Sequence, residues 1–178
     1  MGRDPMRIDS ERLRIRSLEI SDLESLKAIR RDRLVYRHEP AFLQELQGTS
    51  EEALAAIRGM ELETSRQCIL GVYEKADAPV FVGLAEFYDY KPSGKVISVG
   101  YRFLHEYWGR GIATGCIQAM IGYVKSRTKV EMITAHVLPE NGASARCLIK
   151  NGFEYLLTKD EDWGYGHLSR ADVYTFDC

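Results

Sequence analysis

The 178-residue sequence predicts a single mixed α/β domain: a mostly antiparallel sheet of six to seven strands flanked by about four helices. Three observations predict it. Val96–Phe103 alternates, with Ile97, Val99, Tyr101 and Phe103 on one side and Val96, Ser98, Gly100 and Arg102 on the other, as a strand does. Soon afterwards Ala113, Cys116, Ile117, Met120, Ile121 and Val124 recur at helical spacing, so a strand leads through a glycine-rich turn into a helix. Lys91-Pro92-Ser93-Gly94 separates residues 80–90 from Val96–Phe103 as a hairpin turn, which makes that part of the sheet antiparallel.

The other elements follow in order. Residues 13–16 form a short first strand. Ser21 is the expected N-cap of the first helix, with Glu24 completing a capping box; Leu23, Leu26 and Ile29 line one face, and the helix ends near Arg33. Residues 36–48 contain Pro40 and mixed polarity and read as irregular. Thr49 or Ser50 caps a second helix reaching about Thr64, with Ala53, Leu54, Ile57 and Met60 on one face and Glu61 interrupting the stripe. Residues 67–74, 80–90 and Val96–Phe103 make an antiparallel run. Met132–Val137 stands in βαβ relation to Val96–Phe103, hence parallel to it. A helix over 143–150 is stopped by Asn151-Gly152. Residues 153–158 and 171–176 close the sheet as an antiparallel pair joined by a polar loop over 160–169. There is no repeat and no linker. Residues 1–5, ahead of Met6, read as an expression scar, which leaves 6–178 as the domain.

Composition narrows the function classes. Hydrophobic residues make up 45% and charged residues 28%, enough for an ordinary core. No apolar run approaches the roughly 18 residues of a membrane span, and no charged-then-apolar leader is present, so a cytoplasmic protein is expected. A net charge of −2 offers no argument for nucleic acid. Cys68, Cys116, Cys147 and Cys178 have neither metal nor disulfide spacing, so no metal is expected; the first three sit in apolar-periodic stretches and read as reduced core thiols.

The chemistry centres on Trp108-Gly109-Arg110-Gly111-Ile112-Ala113-Thr114-Gly115. The first amides of a helix lack internal partners and sit at the positive end of its dipole. Gly109 and Gly111 let backbone approach a ligand, so bare N–H groups can cradle a phosphate, with Arg110 adding charge. The same spacing also suits a plain tight turn, and the residues alone leave both open. A Walker loop is excluded because Gly-x-x-x-x-Gly-Lys-Ser/Thr is missing, and a dinucleotide fold because Gly-x-Gly-x-x-Gly is missing.

A second stretch, Pro139-Glu140-Asn141-Gly142-Ala143-Ser144 with Asn151-Gly152-Phe153 after it, joins the first in resembling the GNAT superfamily of acyl-CoA-dependent N-acyltransferases. Gly111 and Ala113 fit that family's glycine positions, while Trp108 replaces its usual Gln or Arg. The Tyr-Trp-Gly-x-Gly-x-Ala-Thr form, with Ser10-Glu11-Arg12-Leu13-Arg14-Ile15-Arg16 and Asp22, is similar to the branch of bacterial ribosomal-protein N-terminal acetyltransferases. The resemblance runs from about Ser10 to Phe176. It implies a GNAT fold with a splayed parallel strand pair at the acyl-CoA site. It further implies acetyl-CoA as co-substrate and an amine acceptor, either a protein N-terminus or a small amine such as a polyamine, amino sugar or amino acid. A non-catalytic CoA-binding regulator is the alternative from another class, and a homodimer is a compatible assembly.

The resemblance also implies roles. The amides of Gly109, Arg110, Gly111, Ile112, Ala113 and Thr114 hold the pyrophosphate, Tyr101, Arg102 and Phe103 flank the pantetheine arm, and Asn141 contacts it. Asn141 is equally placed to cap a helix. An α-amine titrates near about 8 and a lysine near about 10.4, so orientation and a general base both help the neutral amine attack. Glu86, on a strand beside the cleft, is the leading base; Asp89, Tyr90 and His105 are alternatives. Leu148 stands where many family members place an acidic Tyr, so the branch's Ser position, Ser144, becomes the candidate acid, with Cys147 one helical turn away. Gly115 and Ser98 replace carboxylates common in the branch.

Overall fold

The computed structural model describes residues 6–38, 48–162 and 168–178. An eight-stranded sheet forms its middle layer, in the order β1-β2-β3-β4-β5-β6-β8-β7. The strands are β1 Arg7–Asp9, β2 Leu13–Ser17, β3 Cys68–Glu74, β4 Val80–Lys91, β5 Val96–Phe103, β6 Met132–Val137, β7 Glu154–Asp162 and β8 Leu168–Asp177. All neighbours are antiparallel except β5 and β6. Among the described residues the helices are α1 Leu23–Arg31, α2 Ser50–Arg58, α3 Leu62–Ser65, α4 Ile112–Arg127 and α5 Gly142–Lys150. None of them is long and apolar enough to cross a membrane.

The alternation of β5 divides the core in two. Ile97, Val99 and Phe103 face a cluster with Ile112, Cys116, Ile117, Met120 and Val124 of α4 and Leu148 of α5. The opposite face of the sheet meets α1 and α2 through Leu26, Ile29, Ala53, Leu54, Ile57 and Leu84. Burying both faces of a sheet under helices gives three layers.

Several expectations are corrected. β1 extends the sheet beyond seven strands; its three residues pair with β2, and Ile8 packs into the core. Ser21 is not the cap of α1, because Ile20–Asp22 is a 3-10 turn and Asp22 occupies the N-cap position. Asp22 is recruited by Arg16, whose guanidinium meets both carboxylate oxygens at 2.8 and 3.1 Å, and by the Glu19 N–H at 2.7 Å. Thr49 does cap α2, in a reciprocal pair with Glu52. That helix stops at Arg58 rather than near Thr64, and the chain restarts as α3. Ile57 belongs to the α1 side of the sheet and Leu62 to the α4 side, and a straight helix cannot reach both.

The closing strands run to Asp162 and from Leu168, so much of the expected polar loop is ladder. Residues 35–38 form a 3-10 turn; residues 39–47 of the segment expected to be irregular, and residues 1–5 expected to be an expression scar, lie outside the described residues. Of the three thiols expected in the core, Cys68 and Cys116 are buried there, whereas Cys147 is half-buried. Burial pushes the Cys68 thiol up to about 12.

Candidate active site

The glycine turn follows from the end of β5. A 3-10 turn at His105–Tyr107 carries the chain off the strand, held by Asp32, which accepts from the His105 N–H and meets its Nδ1, both at 2.9 Å. Gly109 and Gly111 then take φ values of +74° and +76°, a region that L side chains disfavour. Gly111 caps α4 with no side-chain bond to the first turn, and that turn contains no acid. A Cβ at either glycine would have nothing within 4 Å, so the space outside the bare amides is open. An anion fits there by charge and by access.

Three side chains hold this turn, and none was expected to do so. Trp108 Nε1 donates to the Phe103 carbonyl at 2.7 Å, tying the turn to the end of β5. Arg12 donates to the Arg110 carbonyl at 2.8 Å and is itself held by Glu74 at 2.6 Å. With that carbonyl engaged from the sheet side, the peptide linking it to Gly111 turns its N–H outward. Arg110 stacks its guanidinium over Tyr107, 5.2 Å from the ring centroid. The Ser-Glu-Arg-Leu opening of the chain therefore has a physical job, visible only once β2 lies beside α4.

β5 and β6 pair in parallel at Val96↔Met132, Ile97↔Ile133 and Ser98↔Thr134, and then part. Ser98 and Thr134 close the last rung with a buried 2.7 Å hydroxyl bond. Beyond it the strands leave a notch that opens toward the glycine turn. A cavity of about 420 Å³ lies there, walled by Tyr101 and Phe103 of β5, the turn, and Asn141, Ser144 and Cys147 of α5. Arg146 and Lys150 add positive charge to its lining, and Val35 and His38 wall it from the α1 side. His38 Nδ1 is buried without a hydrogen-bond partner among the described residues.

The expected residues are largely brought together. Tyr101, Arg102, Phe103, Gly109, Gly111, Ile112, Ala113, Thr114, Asn141 and Ser144 all line this cavity. Asn141 accepts from the Ser144 N–H at 3.2 Å, so it caps α5 from the cavity wall. The Ser144 hydroxyl lies 3.0 Å from the Tyr101 hydroxyl, and burial holds the Tyr101 phenol well above its ordinary range. Thus a tyrosine hydroxyl does meet Ser144, the residue expected as the acid, and it comes from β5 rather than from residue 148, where Leu148 is fully in the core. Cys147 Sγ sits 3.8 Å from Thr114 Oγ1.

Glu86 stands apart from the cavity wall. It lies on the α1 face of the sheet, and Arg102 engages its two oxygens at 3.1 and 3.4 Å. Gly115 faces Leu13 of β2, so the carboxylate absent at 115 would not have pointed into the cavity. Asp89, Tyr90 and His105 are not among the lining residues. Among the described residues no cluster of three or more His, Cys, Asp or Glu side chains could hold a metal ion.

Residues 12–154 match the acetyltransferase (GNAT) domain. The chain belongs to the GNAT acetyltransferase family. It is an acyltransferase by that membership. The acetyltransferase is 26% identical to YoaA, an uncharacterized N-acetyltransferase of Bacillus subtilis strain 168, over 83% of this chain and 82% of that protein. Its fold matches a GNAT-family acetyltransferase from Bacillus anthracis at a TM-score of 0.78 and 24% identity, covering 97% and 98% of the two chains. RimL, a ribosomal alpha-N-protein acetyltransferase solved in complex with coenzyme A, matches at 0.76 and 19% identity over 97% and 98%.

Proposed function

We propose that this acetyltransferase uses acetyl-CoA to acetylate a protein N-terminal amine, such as that of a ribosomal protein, by direct transfer in a ternary complex. The observation that carries the reading is the notch between β5 and β6, which ends at a helix start with no side-chain cap and no acid in its first turn. A thioester with a pyrophosphate tail suits that shape, and coenzyme A in the RimL complex supports it. RimL acts on a ribosomal protein, which supports the N-terminal acceptor, while a spermidine N-acetyltransferase chimera shares the fold and keeps a small amine as the second reading.

In this reading the amides of Gly109–Thr114 hold the pyrophosphate, while Tyr101, Arg102 and Phe103 flank the pantetheine arm and Asn141 orients it. Acetyl-CoA supplies the acetyl group as an activated thioester. Ser144, bonded to the Tyr101 hydroxyl, supplies the proton that the sulfur needs as it leaves. Glu86, the base expected from sequence, has both oxygens on Arg102 and serves to hold that guanidinium at the end of β5.

Thermal unfolding with acetyl-CoA, CoA and ATP tests the cofactor. A ligand at 100 times its Kd adds about 2.7 kcal/mol of stability. Stabilisation by the CoA species over ATP is the expected result; its absence overturns the assignment. Faster turnover of an N-terminal peptide than of spermidine then supports the acceptor class, and the reverse order replaces it with a small amine.

A further inference from the structure

A second polar cluster lies on the α1 face of the sheet, beside the parting of β5 and β6 and outside the residues that line the cavity. His136 of β6 has a side chain only 12% exposed, and its Nδ1 stands 2.8 and 2.9 Å from the two oxygens of Glu161 on β7. Burial raises the Glu161 carboxyl, but the His136 hydrogen bond and Lys159 outweigh it, and the group ends below its ordinary range. A carboxylate can only accept, so the proton of a neutral imidazole sits on Nδ1 and the lone pair on Nε2. The Tyr88 ring stands edge-on to the imidazole, 6.2 Å between centroids.

Register places this pair. Strand pairing ends at Ser98↔Thr134, and two residues further on the same face come Gly100 and His136, facing each other across the opening gap. Gly100 contributes no side chain. The Glu86 carboxylate leans over it, so close that an added Cβ would lie 2.5 Å from Oε1. Among the described residues, the charged or titratable groups placed on this side are Glu161 and Lys159 from β7, Tyr88 and Glu86 from β4, and Arg102 from β5; β8 presents Val173 opposite His136. Of these, Glu86 is held by Arg102 and Lys159 by Glu161, whereas His136 is engaged among the described residues through Nδ1, which leaves the Nε2 lone pair for a ligand.

We infer that His136 is the base that takes the proton from the acceptor amine, and that Glu161 is its positioning residue. The inference rests on the acetyl-transfer reading and assigns its missing base. The amine enters as an ammonium; Nε2 takes one proton and passes it to water. The nitrogen then attacks the acetyl carbon, forming the C–N bond, and the C–S bond breaks. The nitrogen's second proton leaves to solvent as the amide forms, and the sulfur takes a proton from the Ser144–Tyr101 hydroxyl pair, which solvent reloads. No oxidation occurs, and the overall change is one acetyl group moved and one proton released.

The test follows CoA release at saturating acetyl-CoA from about pH 5.5 to 9.5, with an N-terminal-serine hexapeptide, with spermidine, and with water as the only nucleophile. His136→Gln and His136→Asn should lower the rate at neutral pH by about 10²-fold and shift its rise with pH upward, leaving acetyl-CoA affinity by calorimetry unchanged. Glu161→Gln should cost less, with Glu161→Asp recovering part of the loss. Wild-type rate and pH profile in both His136 variants, in whichever of the three reactions proceeds, overturns the inference alone. So does loss of the acid limb in Glu86→Gln or His38→Gln with its retention in His136→Gln, or a wild type that binds acetyl-CoA and turns over none of the three. A wild type that does not bind acetyl-CoA overturns the acetyl-transfer reading first, and this one with it.

Discussion

At the scale of single residues, the glycine turn depends on backbone conformation more than on crowding. Gly111 sits at φ +76° with open space around it, so a larger side chain meets no neighbour but strains the backbone and covers the amides. Gly111→Val should lose acetyl-CoA binding by at least about 10²-fold while the rest of the fold stays intact. Unchanged affinity in calorimetry would remove the turn from the binding site. Arg12 acts one step further back, through the Arg110 carbonyl. Arg12→Ala should weaken acetyl-CoA by roughly 5–10-fold, about the net worth of one hydrogen bond, with little change in turnover at saturation. If turnover falls and affinity does not, Arg12 has been misassigned. Tyr101→Phe keeps the ring but removes the hydroxyl partner of Ser144. It should lower kcat by about tenfold or more without raising the acetyl-CoA KM, and a pure KM effect in steady-state kinetics would make Tyr101 a binding group only.

At the scale of elements, α2 is held mainly by its ends and one face. Thr49 accepts from the Glu52 N–H at 3.1 Å, and Glu52 accepts from the Thr49 N–H at 2.7 Å. Removing the hydroxyl in Thr49→Ala should cost about 1 kcal/mol in urea unfolding. An unchanged midpoint would mean that packing of Ala53, Leu54 and Ile57 alone positions the helix. The parallel pair is the other informative element. Its last rung is a hydroxyl bond, Ser98 to Thr134, buried at the point where the strands separate. A side chain of larger volume at 98 would push the strands apart one rung early and move the notch.

For the whole molecule, Asp22 links β2, the first 3-10 turn and β3. Arg16 pairs with it and stacks on Tyr73, 4.2 Å from the ring centroid. Burial raises the Asp22 carboxyl, yet the Arg16 pair and the Glu19 N–H outweigh it, so its folded pKa lies below the unfolded value of 3.8. A depressed carboxyl stabilises fully above the unfolded pKa and loses that contribution as pH falls through the folded one. Stability should therefore hold from neutral pH to about pH 4 and drop below it. Asp22→Asn, which leaves Arg16 without its counter-charge, should cost roughly 3 kcal/mol at pH 7 and flatten that acid dependence. An acid-unfolding curve identical to wild type would show that other carboxylates govern it.

Much of this molecule is written locally. Alternation in β5, helical spacing in α4, the Lys91–Gly94 turn and a helix cap at Thr49 or Ser50 are short-range patterns, and each appears where its residues predict it, the cap falling on Thr49. Gly109, Gly111, Asn141 and Ser144 were legible for the same reason, because a helix start imposes its own residue chemistry. What tertiary structure alone decided are pairings between distant segments. Arg12 reaches the Arg110 carbonyl across 98 positions, Tyr101 meets Ser144 across 43, and Arg102 captures Glu86 across 16. His136 finds Glu161 across 25. A glutamate on an alternating strand carries no mark of whether it faces an arginine or a cleft. Periodicity assigns a side chain to a face, but only the register of neighbouring strands decides what that face holds, and with it which side chains are free to act.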